Sequence, residues 1–469
     1  MASKVIPLSN VDAAWLKMEH PTNLMMVSGV LTFARPLDFD HLRALIETRL
    51  LSFERFRQRV VKPRLPLAPP YWEADPRFDL KAHLHRISLP HPHDKLALQH
   101  LVSDLMSTPL DFSKPLWQMH VVEGYGDKGA LIVRLHHCIA DGMALVGVLL
   151  ALTEMTPGAA APSSGGELVP FEENGALLRS DTLGALAQRA SAWFGTGVDV
   201  GRRTLIEGLE SYLNHDRPRQ LVEQGADYTY TASKLVLMSA DPKTAFKGTL
   251  GVAKRAAWSR PLPLGEVKAI RKATGATIND LMITAVAGAL GRYLEGRGEP
   301  TEGVTIRAVV PVNLRKPEEM GEMGNRFGLV FAELPVGIHD LKQRLATVQK
   351  NMDAHKNSLD APVSLDILAG MGVSPQVIEN LVLKIFAAKA TAVMTNVPGP
   401  PIPLYMAGQP IESLMFWVPQ SGRLGIGISI LSYAGQIMLG IATDAGLIPD
   451  PDSIVNNFYM EYDELLKLV

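Results

Sequence analysis

Apolar and polar positions along the chain follow both the strand period and the helix period, in no regular order. Residues 27–33 and 119–122 read as strands, and residues 40–51 as a helix. In 94–106, Leu96, Leu98, Leu101, Val102 and Leu105 fall at near-helical spacing, which predicts an amphipathic helix. An unbroken apolar run over 130–135 predicts a buried strand, and a second apolar run from Met143 predicts a helix after it. Residues 278–294 predict another helix, opened by a Thr277-x-x-Asp280 pattern that is a weaker variant of the capping box. The most apolar long stretch, 424–447, has the length of a membrane span, which needs about 20 apolar residues. Ser432 to Gln436 in its middle reads as a turn, so two strands around a hairpin fit better. The mixture lacks a βαβ rhythm and predicts an α+β fold of mixed sheets with packed helices.

Residues 156–171, rich in Pro, Gly, Ser and Ala, form the clearest linker. A helical stretch follows over about 175–214, and a second mixed region begins near 233. The expected organisation is an N-terminal domain over 1–155, a linker and helical connection over 156–232, and a C-terminal domain over 233–469. No short-period repeat is visible.

Bulk properties narrow the function classes. The chain has 469 residues and 47% hydrophobic content, enough for a large core in about two or three domains. Its 46 basic and 48 acidic residues include no like-charge block, which argues against a nucleic-acid partner. The single cysteine, Cys138, leaves no internal disulfide. Residues 1–10 lack a basic stretch followed by an apolar run, so no signal peptide is expected and the cytoplasm is the expected compartment.

The chemistry concentrates at Leu131-Ile-Val-Arg-Leu-His136-His137-Cys138-Ile-Ala-Asp141-Gly142. A strand ending in a histidine, with a carboxylate close by, suits a general base. Strand alternation puts His137 on the face of Leu131, Val133 and Leu135, and His136 on the other. Two imidazoles pointing apart, next to Cys138, do not converge on one zinc, so no metal is expected here. A capped strand end with a structural histidine is the plain alternative. His83, His85, His91 and His93 form a second cluster, but Pro90 and Pro92 interrupt it, and a solvated loop is expected there rather than a metal site.

The His-His-x-x-x-Asp-Gly pattern resembles the signature of the acyltransferase superfamily of chloramphenicol acetyltransferase and peptide-synthetase condensation domains. Pro115-Leu116-Trp117, Asn279-Asp280, Gly324-Asn325-Arg326-Phe327-Gly328 and Asn396-Val397-Pro398-Gly399-Pro400 are similar, in order, to further segments of the bacterial wax ester synthase/diacylglycerol acyltransferase family. The resemblance runs from about residue 8 to about residue 465. It implies two chloramphenicol-acetyltransferase-like domains with an active-site tunnel between them.

For the site, the resemblance implies His137 as the base that takes a proton from a hydroxyl acceptor, with His136 holding local structure. Asp141 either orients His137 as a triad carboxylate does or pairs with an arginine, for which Arg55, Arg57 and Arg59 are the candidates. Gly142 is expected to free a tight turn into the next helix. Asn279 and Asp280 either cap a helix or place Asn279 beside the acceptor or the oxyanion. Trp117 either packs the core or lines an acyl channel. The Asn396–Pro400 segment reads as a rigid turn, with glycine supplying unusual dihedrals. A Cys138 acyl-enzyme is a rival chemistry, against the plain reading of a small buried residue.

The implied reaction moves a fatty acyl group from acyl-CoA, a co-substrate, to a long-chain alcohol or to diacylglycerol, with no cofactor. Arg315, Lys316, Arg326, Lys254 and Arg255 are candidates for the CoA phosphates. Apolar helices near 183–212 and 370–390 fit either packed cores or peripheral contact with the inner membrane or lipid inclusions. The stretches Leu24-Met25-Met26-Val27-Ser28-Gly29 and Phe246-Lys247-Gly248 depart from the family pattern, which leaves acceptor choice open. The alternatives are a condensation-type or polyketide-diol acyltransferase with a carrier-bound donor, and a non-catalytic lipid-binding protein.

Overall fold

Strand Lys128–His136 lies inside a six-stranded sheet, between Met26–Phe33 and Trp117–Tyr125. The sheet order is Tyr405–Met406, Gln409–Trp417, Met26–Phe33, Lys128–His136, Trp117–Tyr125, Leu84–Ser88, and only the last pair is parallel. Both faces of Lys128–His136 are covered, which is why its sequence is a continuous apolar run. Alternation still sorts its side chains. Leu131, Val133 and Leu135 face a large apolar cavity. Arg134 turns the other way and donates to the carbonyls of Leu105 and Thr108, at the end of helix Lys95–Met106. Two strands of this sheet come from beyond residue 400: Gln409–Trp417 pairs with Met26–Phe33, and Tyr405–Met406 extends it.

The structure is a computed structural model that describes residues 6–63, 68–155, 237–315, 324–355, 360–373, 376–420 and 424–469. The expected linker over 156–171 and the helical stretch over 175–214 lie outside the described residues.

A seven-stranded sheet runs Phe327–Leu334, Ile306–Asn313, Ala392–Pro398, Ile426–Tyr433, Gln436–Asp444, Lys254–Trp258, with Leu262–Pro263 also paired to Gln436–Asp444. The apolar stretch 424–447 is the hairpin of this sheet. Ile426–Tyr433 and Gln436–Asp444 pair antiparallel, and Ala434 and Gly435 turn between them at φ of 47° and 77°. Almost every residue of both strands is buried, which accounts for the membrane-like composition. Among the described residues no single helix is long and apolar enough to cross a membrane.

Helix Ile278–Gly296 buries most of its length. Its start is a complete capping box: Thr277 Oγ1 accepts from the Asp280 N–H at 3.1 Å, and Asp280 Oδ2 accepts from the Thr277 N–H at 2.8 Å. Such a cap contributes about 1 kcal/mol. The Asn396–Pro400 segment differs from its expectation. Ala392–Pro398 is a strand, and Gly399 has no left-handed φ. Glycine is required there by close approach, since a Cβ would stand 2.4 Å from the Ser432 carbonyl oxygen.

Candidate active site

The strand ends at His136, so His137 and Cys138 lie in the turn beyond it. His136 is buried, and its Nδ1 accepts from the Cys138 N–H at 3.1 Å. Its proton therefore sits on Nε2, which lies 3.5 Å from Glu19 Oε2. These contacts tie the strand end to the chain after helix Asn10–Met18.

His137 is placed by its backbone first. Its N–H donates to the Met25 carbonyl at 2.7 Å, and its carbonyl accepts from Asn325 Nδ2 at 2.8 Å. The imidazole stacks on Trp15, with ring centroids 4.2 Å apart, and tilts against Phe327 at 5.7 Å. Burial pulls its pKa down from 6.5 to about 4, opposed by the attraction of Asp141, with His136 adding to the lowering. The ring is therefore neutral at pH 7 and has a lone pair available to a proton.

Asp141 caps helix Gly142–Leu152. Its Oδ1 accepts from the Ala144 N–H at 3.0 Å, and its Oδ2 from the Arg326 N–H at 2.9 Å and from Arg315 Nη1. The arginine that pairs with Asp141 is therefore Arg315, not Arg55, Arg57 or Arg59. Glu54–Arg57 is a short 3₁₀ turn, so Arg57 and Arg59 do not share an extended face. Arg55 stacks on Trp72, and Arg59 pairs with Glu73 at 3.0 Å. Gly142 also departs from its expectation. It has no left-handed φ, and a Cβ there would meet nothing within 4 Å. Gly142 instead borders the apolar cavity.

That cavity is walled by Leu131, Val133, Leu135, Trp117, Leu145 and Phe416 among others. Trp117 is buried in the core and lines an apolar cavity. It stacks on His83 at 4.6 Å and donates its Nε1–H to the Phe56 carbonyl at 2.9 Å. A second, smaller apolar cavity is bounded by Trp15, Val309, Leu329, Leu368, Leu383 and Phe386. His137 stacks on the Trp15 wall of the smaller cavity and lies in sequence between Leu135 and Gly142, which line the larger. Asn279 lies in the first turn of helix Ile278–Gly296. Its Oδ1 accepts from Asn396 Nδ2 at 2.9 Å, three residues before Gly399 in the larger cavity's wall.

Residues 8–282 match the wax ester synthase/diacylglycerol acyltransferase catalytic domain, and residues 323–466 match the C-terminal domain of the same family. The chain belongs to that family. A Mycobacterium tuberculosis protein named as a diacylglycerol O-acyltransferase is 28% identical over 98% of this chain and 90% of its own length. A second from that organism is 27% identical over 94% and 92%. The wax ester synthase/diacylglycerol acyltransferase of Marinobacter aquaeolei shares the fold, with a TM-score of 0.68, 21% identity and 98% coverage of both chains. The first condensation domain of the calcium-dependent antibiotic synthetase also shares it, at a TM-score of 0.59 and 16% identity over 100% of this chain and 96% of that one. The α+β architecture of two chloramphenicol-acetyltransferase-like domains follows from these likenesses.

Within this family setting, several site contacts escaped the sequence reading, which named Arg315 only as a candidate for the CoA phosphates. Trp15, Glu19 and Arg315 contact His137, His136 and Asp141 from distant segments. Asn325 lies in the Gly-Asn-Arg-Phe-Gly segment, and its presence there was the one signal available. Two of the CoA candidates are already engaged. Lys254 Nζ pairs with the buried Asp444 at 2.8 Å, and Arg315 pairs with Asp141. Lys316 lies outside the described residues. The second histidine cluster disperses. His83 is buried between Phe78 and Trp117, while His85 faces His120 at 5.1 Å.

Proposed function

We propose that the protein transfers a fatty acyl group from acyl-CoA to the hydroxyl of a long-chain alcohol or a diacylglycerol, with His137 as general base. The observation that carries this reading is a buried, neutral imidazole that stacks on Trp15, a wall of one apolar cavity, and follows Leu135, a wall of another. Their linings, almost wholly apolar side chains, suit the apolar chains of the two substrates. A tunnel joining them is part of the proposal.

His137 takes the hydroxyl proton as the oxygen bonds to the thioester carbon. The carbonyl oxygen gains negative charge and needs aligned donors. Asn279 is proposed for that role or for orienting the acceptor, on the strength of its link to Asn396. Collapse breaks the carbon–sulfur bond, and the imidazolium returns its proton to the CoA thiolate. The Asp141 charge favours the imidazolium in between. Balanced in this way, the transfer requires neither a metal nor an acyl-enzyme.

The test is CoA release by the purified protein from palmitoyl-CoA with hexadecanol or dioleoylglycerol, beside a His137→Ala control. Turnover lost in the control supports the reading, and the acceptor ratio separates wax ester from triacylglycerol synthesis. Equal release by both proteins with either acceptor rejects it.

A further inference from the structure

We propose that Asn325, held by Asp12, orients His137 and sets which ring nitrogen carries the proton. This rests on His137 being the base. Asn325 Nδ2 donates to Asp12 Oδ1 at 2.7 Å and to the His137 carbonyl at 2.8 Å. The two acceptors use both hydrogens of the amide nitrogen and fix the plane of the amide. Asn325 Oδ1 is then buried with no partner, and so is His137 Nδ1. Two unpaired polar atoms in an interior are costly, and one bond between them satisfies both. The His137 carbonyl and, after it, the Asn325 side chain both favour the protonated form of His137, as acceptors facing a ring N–H do, and Asn325 Nδ2 also holds that carbonyl in place.

An amide oxygen only accepts, so Nδ1 must donate. The neutral ring then carries its proton on Nδ1 and its lone pair on Nε2, the arrangement a base needs to receive a proton at Nε2. Asp141 is poorly placed for this task, because both its oxygens already accept from Ala144, Arg326 and Arg315. Asp12 is well placed to hold the amide. It lies in the first turn of helix Asn10–Met18, three residues before Trp15, and is buried. One short helix therefore supplies both the stacking partner of the ring and the anchor of its orienting amide. Asn325 and Asp12 are positioning residues.

The experiment uses full-length protein labelled with ¹⁵N-histidine. Long-range ¹⁵N–¹H correlation spectra report the His137 tautomer, assigned through the resonance lost in His137→Ala. Kinetics with palmitoyl-CoA and dioleoylglycerol run in parallel on Asn325→Ala, Asp12→Leu and Asp12→Asn. Wild type should hold the Nδ1–H tautomer. Asn325→Ala should shift it toward Nε2–H and lower kcat by about tenfold to a hundredfold, with KM changed less than about threefold. Asp12→Leu removes the acceptor and should act in the same direction. Asp12→Asn keeps an acceptor oxygen and should lose less. An unchanged tautomer in Asn325→Ala, or a kcat within about threefold of wild type, overturns the proposal. Should Asn325→Ala not fold, the Asp12 pair decides: equal losses with the wild-type tautomer count against it. Active Asn325→Ala beside inactive His137→Ala rejects only the orienting role. Active His137→Ala rejects the base itself.

Discussion

Asp141 and Arg315, 174 residues apart in sequence, form a buried ion pair beside the histidine turn. Arg315 uses its other Nη to donate to the Gly324 carbonyl at 2.6 Å, and Gly324 in turn accepts from the Asp141 N–H at 3.3 Å. The pair thus locks the start of helix Gly142–Leu152 to the segment that carries Asn325. Removing one member of a buried pair leaves an uncompensated charge and costs about 3–5 kcal/mol. Arg315→Ala should lower the unfolding free energy by about that amount in urea titration. Arg315→Lys keeps the charge but loses the fork that reaches two acceptors, and should cost about 1–3 kcal/mol. An Arg315→Ala protein within about 1 kcal/mol of wild type removes the pair from any locking role.

Two buried histidines make the fold acid-sensitive. His137 and His120 are both pulled from 6.5 to about 4, each chiefly by burial, with Arg134 and His85 adding to the effect at His120. Below pH 6.5 the unfolded chain takes up these protons, while the folded chain does so only near 4. Their stabilising contribution is fully present above 6.5 and is lost as pH falls toward 4, at up to about 1.4 kcal/mol per pH unit for each group. Tm should fall between pH 6.5 and 4.5, and His120→Phe should flatten the slope. A Tm that stays level over this range contradicts the shifts. Turnover by folded protein should keep its acid limb below 6.5 for the same reason.

Much of this organisation was legible in the sequence because it is local. The capping box at Thr277 and Asp280, the hairpin around Ala434 and Gly435, and the apolar run before His136 each express short-range physics. Pairings set by the fold were not legible. Nothing near Asp141 points to Arg315, because strand Ile306–Asn313 carries it in from the other half of the chain. Extending alternation one residue too far gave His137 the direction of Leu135. A turn begins at that point, and the ring's place comes from Met25, Trp15 and Asn325 instead. Gly142 and Gly399 were read through backbone freedom, the usual reason for glycine; the Ser432 carbonyl explains Gly399, and neither a left-handed φ nor a close neighbour explains Gly142.

Cys138 should be chemically silent. It is fully buried, and burial pushes its thiol well above the usual range, with the Asp12 charge adding to the rise. A thiol held protonated is a poor nucleophile. Native protein should resist iodoacetamide and react once unfolded. Cys138→Ala should keep turnover within about twofold, since only a small buried group is lost. A covalent acyl-cysteine route demands complete loss, so that result would revive it.

Gly142 offers a direct way to learn which chain the larger cavity holds. It borders that space at the first turn of its helix, and a side chain there meets no neighbour within 4 Å of its Cβ. Gly142→Leu should fold, because leaving glycine in a helix gains up to about 1 kcal/mol. The new side chain occupies room that three or four methylenes would use, each worth about 0.8 kcal/mol of burial. For palmitoyl-CoA this predicts a fall in kcat/KM of about 60- to 200-fold, with octanoyl-CoA little affected. A matching fall for both donors sets the cavity apart from acyl chain length. If hexadecanol is penalised against octanol instead, the larger cavity receives the acceptor, and the space beside Trp15 is left for the donor.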